Sequence, residues 1–114
     1  MSAGDGLSRR DKVEGTAELH IALEEGFFDE EVVVRVGSHE AFRSETVRTR
    51  LQIGLATSFS VSVEDSPVTV EIELPRRGVH HRETVVVDGA TWLGISLENG
   101  DVVVRRSPEP FGYA

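Results

Sequence analysis

Apolar side chains recur at every second position along most of this 114-residue chain. Val68, Val70, Ile72 and Leu74 alternate with Thr69, Glu71 and Glu73. Phe59, Val61 and Val63 alternate with Ser58, Ser60 and Ser62. Successive side chains of a β-strand point to opposite faces, so period two means one buried face and one wetted face. A helix would need apolar residues three and four apart, and no long segment has that spacing. The pattern predicts an antiparallel all-β chain.

Turn residues divide it. Gly37-Ser38, Asp65-Ser66-Pro67, Arg76-Arg77-Gly78 and Asp88-Gly89 interrupt the alternation. Asn99-Gly100, between two alternating runs, is the strongest hairpin signal, because both residues tolerate the positive φ of a tight turn. Strands are expected at Thr16 to Leu23, Glu31 to Val36, His39 to Ser44, Ser58 to Val63, Val68 to Leu74, Val79 to Val87, Thr91 to Glu98 and Asp101 to Arg106. Thr46 to Thr57 alternates less cleanly and reads as a strand with an irregular lead-in, Gly54 marking a bulge. Met1 to Gly15 has no periodicity and reads as a disordered tail before one domain spanning 16–114. About eight short strands predict a single antiparallel β-sandwich, with a flattened β-barrel as the alternative.

Composition narrows the chemistry. The absence of cysteine excludes a disulfide framework and a thiol nucleophile. The net charge of −8 repels phosphate backbones and anionic lipid surfaces, so neither nucleic acid nor membrane is an expected partner. The first fifteen residues lack the apolar core of a secretory signal, so a cytoplasmic protein is expected. Arginine supplies eleven of the twelve basic residues, a bias that suggests a GC-rich bacterial genome. No nucleophile elbow, phosphate loop or zinc-protease motif is present, which argues for a non-enzymatic chain without a cofactor.

Trp92 is the most informative single residue. Leu93, Ile95 and Leu97 share one face of its strand, which leaves Trp92 on the other with Gly94, Ser96 and Glu98. An indole outside the core can seat a ligand or partner. Alternatively Phe111 and Tyr113 of the C-terminal tail cover it, or a bulge turns it inward. Val33, Val86 and Val103 also fall on the outward parity. A valine-rich sheet face would pair two copies of the chain, whereas single surface valines need no partner.

Charged residues offer weaker candidates. Glu24, Glu25, Asp29, Glu30 and Glu31 flank one turn and could offer oxygens to Ca²⁺, although no EF-hand spacing is present. Arg76 and Arg77, with His80 and Arg82, form a basic strip, extended by Arg105 and Arg106 if strand pairing brings them near, suited to an acidic ligand or to the chain's own carboxylates. His80 and His81 are adjacent, so a strand sends them to opposite faces, a poor start for a metal site.

The strand count resembles small prealbumin-like and carboxypeptidase-regulatory-like sandwiches. That resemblance implies an arrangement of sheets and no activity, because architecture does not set function. The expected function is an interaction module, a homodimer or the binder of a protein partner through Trp92 and the outward valines. The rival expectation is a ligand-binding chain, taking Ca²⁺ through the loop carboxylates or carbohydrate through Trp92, Phe111 and Tyr113.

Overall fold

Eight strands form in the computed structural model, which describes residues 17–64 and 66–113. The expected N-terminal tail lies outside the described residues. The strands are β1 (Ala17–Leu23), β2 (Glu30–Val36), β3 (His39–Val47), β4 (Thr57–Val63), β5 (Val68–Leu74), β6 (Val79–Val85), β7 (Ala90–Glu98) and β8 (Asp101–Ser107). A 3₁₀ turn, Pro75–Arg77, separates β5 from β6. Alternation predicted β5 to the residue.

Two four-stranded sheets pack face to face. Their orders are β4-β1-β7-β8 and β3-β2-β5-β6. The sheets do not close on each other, so the fold is a β-sandwich and not a barrel. Their inner faces meet in one core of Leu19, Ile21, Leu23, Val32, Val34, Val70, Ile72, Leu74, Leu93 and Ile95, with Phe27 entering from a loop. All of these are at most 1% exposed. At roughly 1.5–3 kcal/mol per buried aliphatic side chain, this core is what holds the sheets together.

One pairing departs from the antiparallel expectation. β1 and β7 run parallel, with His20 opposite Trp92 and Ala22 opposite Gly94. Parallel neighbours need a long crossover, which the five intervening strands supply. The β7–β8 hairpin turns at Asn99 and Gly100, with φ of 55° and 86°, as the Asn-Gly pair predicts.

The expected strand at 46–57 does not form as one element. β3 runs on to Val47, and residues 48–56 make a loop closed by an isolated bridge between Arg50 and Leu55. Gly54 sits in that turn with φ of 70°, so it marks no bulge. Leu51 is 75% exposed. The loop is stitched inward by Thr49 instead. Its hydroxyl donates to the Glu24 carbonyl (2.6 Å) and accepts from the Phe27 N–H (3.1 Å).

Candidate functional site

The outer face of sheet β4-β1-β7-β8 carries polar and small residues in rows. The register places Ser60, His20, Trp92 and Ser107 side by side, and Ser58, Ala22, Gly94 and Arg105 in the next row. Leu93, Ile95 and Leu97 point into the core, so the expected parity of β7 holds. Trp92 therefore lies on the outer face, half-buried. Its ring stacks on His20 with centroids 4.6 Å apart and planes 17° from parallel. His20 Nδ1 shares a hydrogen bond of 2.7 Å with Ser60 Oγ. Adjacent parallel strands bring these two rings to contact distance, and the serine fixes the imidazole.

The C-terminal tail crosses this face and is latched to it. Glu24, just past the end of β1, is 4% exposed. Arg105 donates to both its carboxylate oxygens, Nε to Oε1 at 3.1 Å and a terminal N–H to Oε2 at 2.8 Å. The Tyr113 hydroxyl donates to Oε2 as well. The Arg105 guanidinium also lies 4.0 Å from the centre of the Phe111 ring. A buried carboxylate needs such partners, because unpaired it would cost several kcal/mol. Burial raises the Tyr113 phenol well above its ordinary pKa, and the hydrogen bond and negative charge of Glu24 add to the shift.

Gly94 makes room for the latch. A Cβ there would lie 2.5 Å from Glu24 Oε1. A glycine inside a strand weakens it, so its presence marks a close approach. The carboxylate occupies the space that a side chain would fill.

Between the His20–Trp92 stack and the tail lies a slot of about 300 Å³. It is lined by His20 and Trp92, by Pro110, Phe111 and Tyr113 of the tail, and by Ala22, Ser58 and Ser60 of the sheet. That volume is at the lower bound for ligand sites, about 300–1,000 Å³, and suits a small ring. Its lining is aromatic and hydroxylic, and its nearby charges, Glu24 and Arg105, are spent on each other.

The expected valine face does not assemble. Val33 lies on the outer face of the other sheet and is 2% exposed. It sits between Arg43 and Glu73 in the ladder, roofed by a lattice of ion pairs. Arg35 meets Glu73 at 2.5 Å, and Arg82 meets Glu71 at 2.7 Å. Val103 stands on β8 in the opposite sheet, and Val86 follows β6; they are 39% and 52% exposed. The three valines form no common exposed face, since Val33 is covered and Val103 belongs to the other sheet, and parity within a strand says nothing about sheet order or about what covers a side chain.

The loop carboxylates do not converge either. Glu24 binds Arg105, Asp29 binds Arg48 at 2.6 Å, and Glu30 binds Arg77 at 3.0 Å. Glu31 lies 3.8 Å from Arg76, and Glu25 points to solvent. Among the described residues no three histidines or carboxylates gather to hold a metal ion. The basic strip is divided in the same way. Arg76 donates to the carbonyls of Asp29 and Glu45, at 2.9 and 3.0 Å, while Arg105 belongs to the other sheet.

The structure brings Trp92, Phe111 and Tyr113 together, whereas the stacking of His20 on Trp92 and the pairing of Glu24 with Arg105 were not expected from the sequence. The one signal for them was Gly94 itself, a glycine amid an otherwise regular strand.

No family model matches this chain, and no curated protein matches it. Among solved structures, it is similar to a protein of Bacteroides ovatus provisionally described as a cell adhesion protein. The TM-score is 0.46 and the identity 7%, over 81% of this chain and 43% of that one. This chain thus spans less than half of that protein, and a likeness so loose implies nothing about activity.

Proposed function

We propose that this chain is a non-enzymatic recognition module whose ligand is a neutral ring of the kind a saccharide presents. The observation that carries the reading is the slot, which gathers Trp92, His20, Phe111 and Tyr113 with the small and hydroxyl-bearing Ala22, Ser58 and Ser60. Aromatic walls pack on the C–H faces of a sugar ring. Ser58, Ser60 and the imidazole of His20 offer hydrogen bonds to its hydroxyls. Among the described residues the lining holds no carboxylate, lysine or arginine, and the nearby Glu24 and Arg105 are paired with each other. The Tyr113 hydrogen bond to Glu24 and the Phe111–Arg105 contact hold the tail in place before binding, which reduces the ordering cost of capture.

Trp92 is the sole tryptophan, so its fluorescence reports the slot without ambiguity. Titration with a panel of neutral mono- and oligosaccharides should change the emission in a saturable way. The same ligand should raise the melting temperature by mass action. Trp92→Ala should weaken binding at least about tenfold, equivalent to about 1.4 kcal/mol, while the circular dichroism stays that of a folded sheet. A flat fluorescence and melting response across the panel overturns the proposal.

A further inference from the structure

Among the described residues, four strands form the sheet edges: β4 and β8 in one sheet, β3 and β6 in the other. An edge strand offers unpaired backbone N–H and C=O groups to any passing strand, and proteins guard such edges with charge, proline or bulges. Three of these edges are guarded. β3 carries His39, Glu40, Arg43 and Glu45, and its pairing with β2 has two register shifts. β6 carries His80 and Arg82 and turns His81 and Glu83 toward the inter-sheet side, where they pair at 2.8 Å. β8 carries Asp101, Arg105 and Arg106. β4 reads Thr57-Ser58-Phe59-Ser60-Val61-Ser62-Val63, with no charge and no proline, and it pairs with β1 in unbroken register.

The core side of β4 is also unfinished. Phe59 stacks on Phe42 of β3 with centroids 5.0 Å apart, yet Phe59 and Val61 stay half-buried. Beside them the edges of β3 and β4 leave a cleft of about 680 Å³, lined by Val36, Val61, Val63 and Val68 and, at its rim, by His39, Glu40 and Glu64.

We propose that β4 is a self-association edge: two copies of this chain join β4 to β4 antiparallel about a twofold axis at Ser60. The sheets then merge into one continuous sheet of eight strands. A twofold interface must be self-complementary, and this strand is. With Ser60 opposite its own copy, Ser58 meets Ser62 on the wet face, and Phe59 meets Val61 on the core side. Charge favours this edge over the others. The chain carries −8, so copies repel over most of their surface, and β4 is the edge where no like charges are brought face to face. The pairing closes both β4 edges at once and brings the half-buried Phe59 and Val61 of the two copies together. It does not depend on what the slot binds. It would set two slots on one face, about 15 Å apart at three strand spacings, a geometry for bivalent capture of a repeating ligand.

The test uses the absence of native cysteine. Light scattering coupled to size exclusion should give twice the monomer mass of 12.5 kDa, shifting toward monomer on dilution. Ser62→Lys should give monomer with an unchanged circular dichroism spectrum. Under mild oxidation Ser60→Cys should cross-link to itself at least about tenfold faster than Thr84→Cys on the guarded edge β6, because the seam raises the effective concentration. Ser58→Cys should cross-link with Ser62→Cys faster than with itself. A monomer at every concentration, a dimer that survives Ser62→Lys, or equal cross-linking through Thr84→Cys overturns the proposal.

Discussion

Tyr113 donates its phenolic hydrogen to Glu24, a residue 89 positions earlier in the chain. That bond, with the two from Arg105, converts a C-terminal tail into a wall of the slot. The carboxylate sits in a space that exists because residue 94 has no side chain. Fold, latch and slot are thus one construction.

The latch should respond unevenly to truncation. Arg105→Met leaves the Glu24 carboxylate buried with the phenol as its remaining partner, and a buried charge stripped of its counter-ion costs about 3–5 kcal/mol in dry sites. Arg105 itself is 57% exposed, so solvent should soften this to about 2 kcal/mol. Glu24→Gln lets Arg105 turn to water and keeps an acceptor for Tyr113, and should cost about 1 kcal/mol. Urea unfolding of the two variants checks the order. Equal losses would mean that the carboxylate is better solvated than its burial indicates.

Gly94→Ala should displace the carboxylate and loosen the tail. Overpacking of this kind costs about 1–3 kcal/mol, against a gain of less than about 1 kcal/mol from lower backbone entropy. The melting temperature should fall, and the Trp92 emission should shift to longer wavelength as the tail withdraws. An alanine variant of native stability would show that the latch tolerates being moved.

Alkaline pH should release the tail. Tyr113 is the sole tyrosine, so the phenolate absorbance reports it alone. Its pKa is raised in the folded chain, by burial first and then by Glu24. The folded state therefore holds the proton more tightly than the unfolded state. The resulting stability is fully present below the ordinary phenol value of about 10 and is lost as pH rises through the folded value. Stability should be flat near neutrality and fall above about pH 10, and Tyr113→Phe should remove most of that fall. On the acid side Glu73 is lowered by its hydrogen bond to Arg35. Its contribution is present above the ordinary glutamate value of about 4.3 and disappears as pH drops through the folded value.

The three valines should part company when mutated. Val33 is buried beneath ion pairs, so Val33→Ala should cost about 1.5–3 kcal/mol. Val86→Ser and Val103→Ser should stay within about 0.5 kcal/mol of the native chain. Denaturant midpoints with unchanged slopes would confirm this ranking.

These contrasts mark what a single sequence can carry. Alternation placed Trp92 on the outer face and Leu93, Ile95 and Leu97 inside, because pleat geometry is local. Asn99-Gly100 announced its hairpin through backbone preference alone. Residues 48–56 misled because Leu51, Ile53 and Leu55 keep a partial alternation, while the loop is held by a threonine whose partners lie more than twenty residues away. The parallel union of β1 with β7, and with it the His20–Trp92 stack, is a matter of sheet order, which periodicity does not encode. The charge clusters misled for a related reason. Glu24 to Glu31 look like one acidic group in sequence, but Glu24, Asp29 and Glu30 each pair with a different arginine.

Backbone amide chemical shifts, followed by nuclear magnetic resonance during titration with the saccharide panel, test the central claim most directly. The account predicts saturable shifts clustered at His20, Ala22, Ser58, Ser60, Trp92, Phe111 and Tyr113. Saturable shifts gathered on the far sheet around Val33, Glu73 and Arg82, or none at the slot, would contradict it.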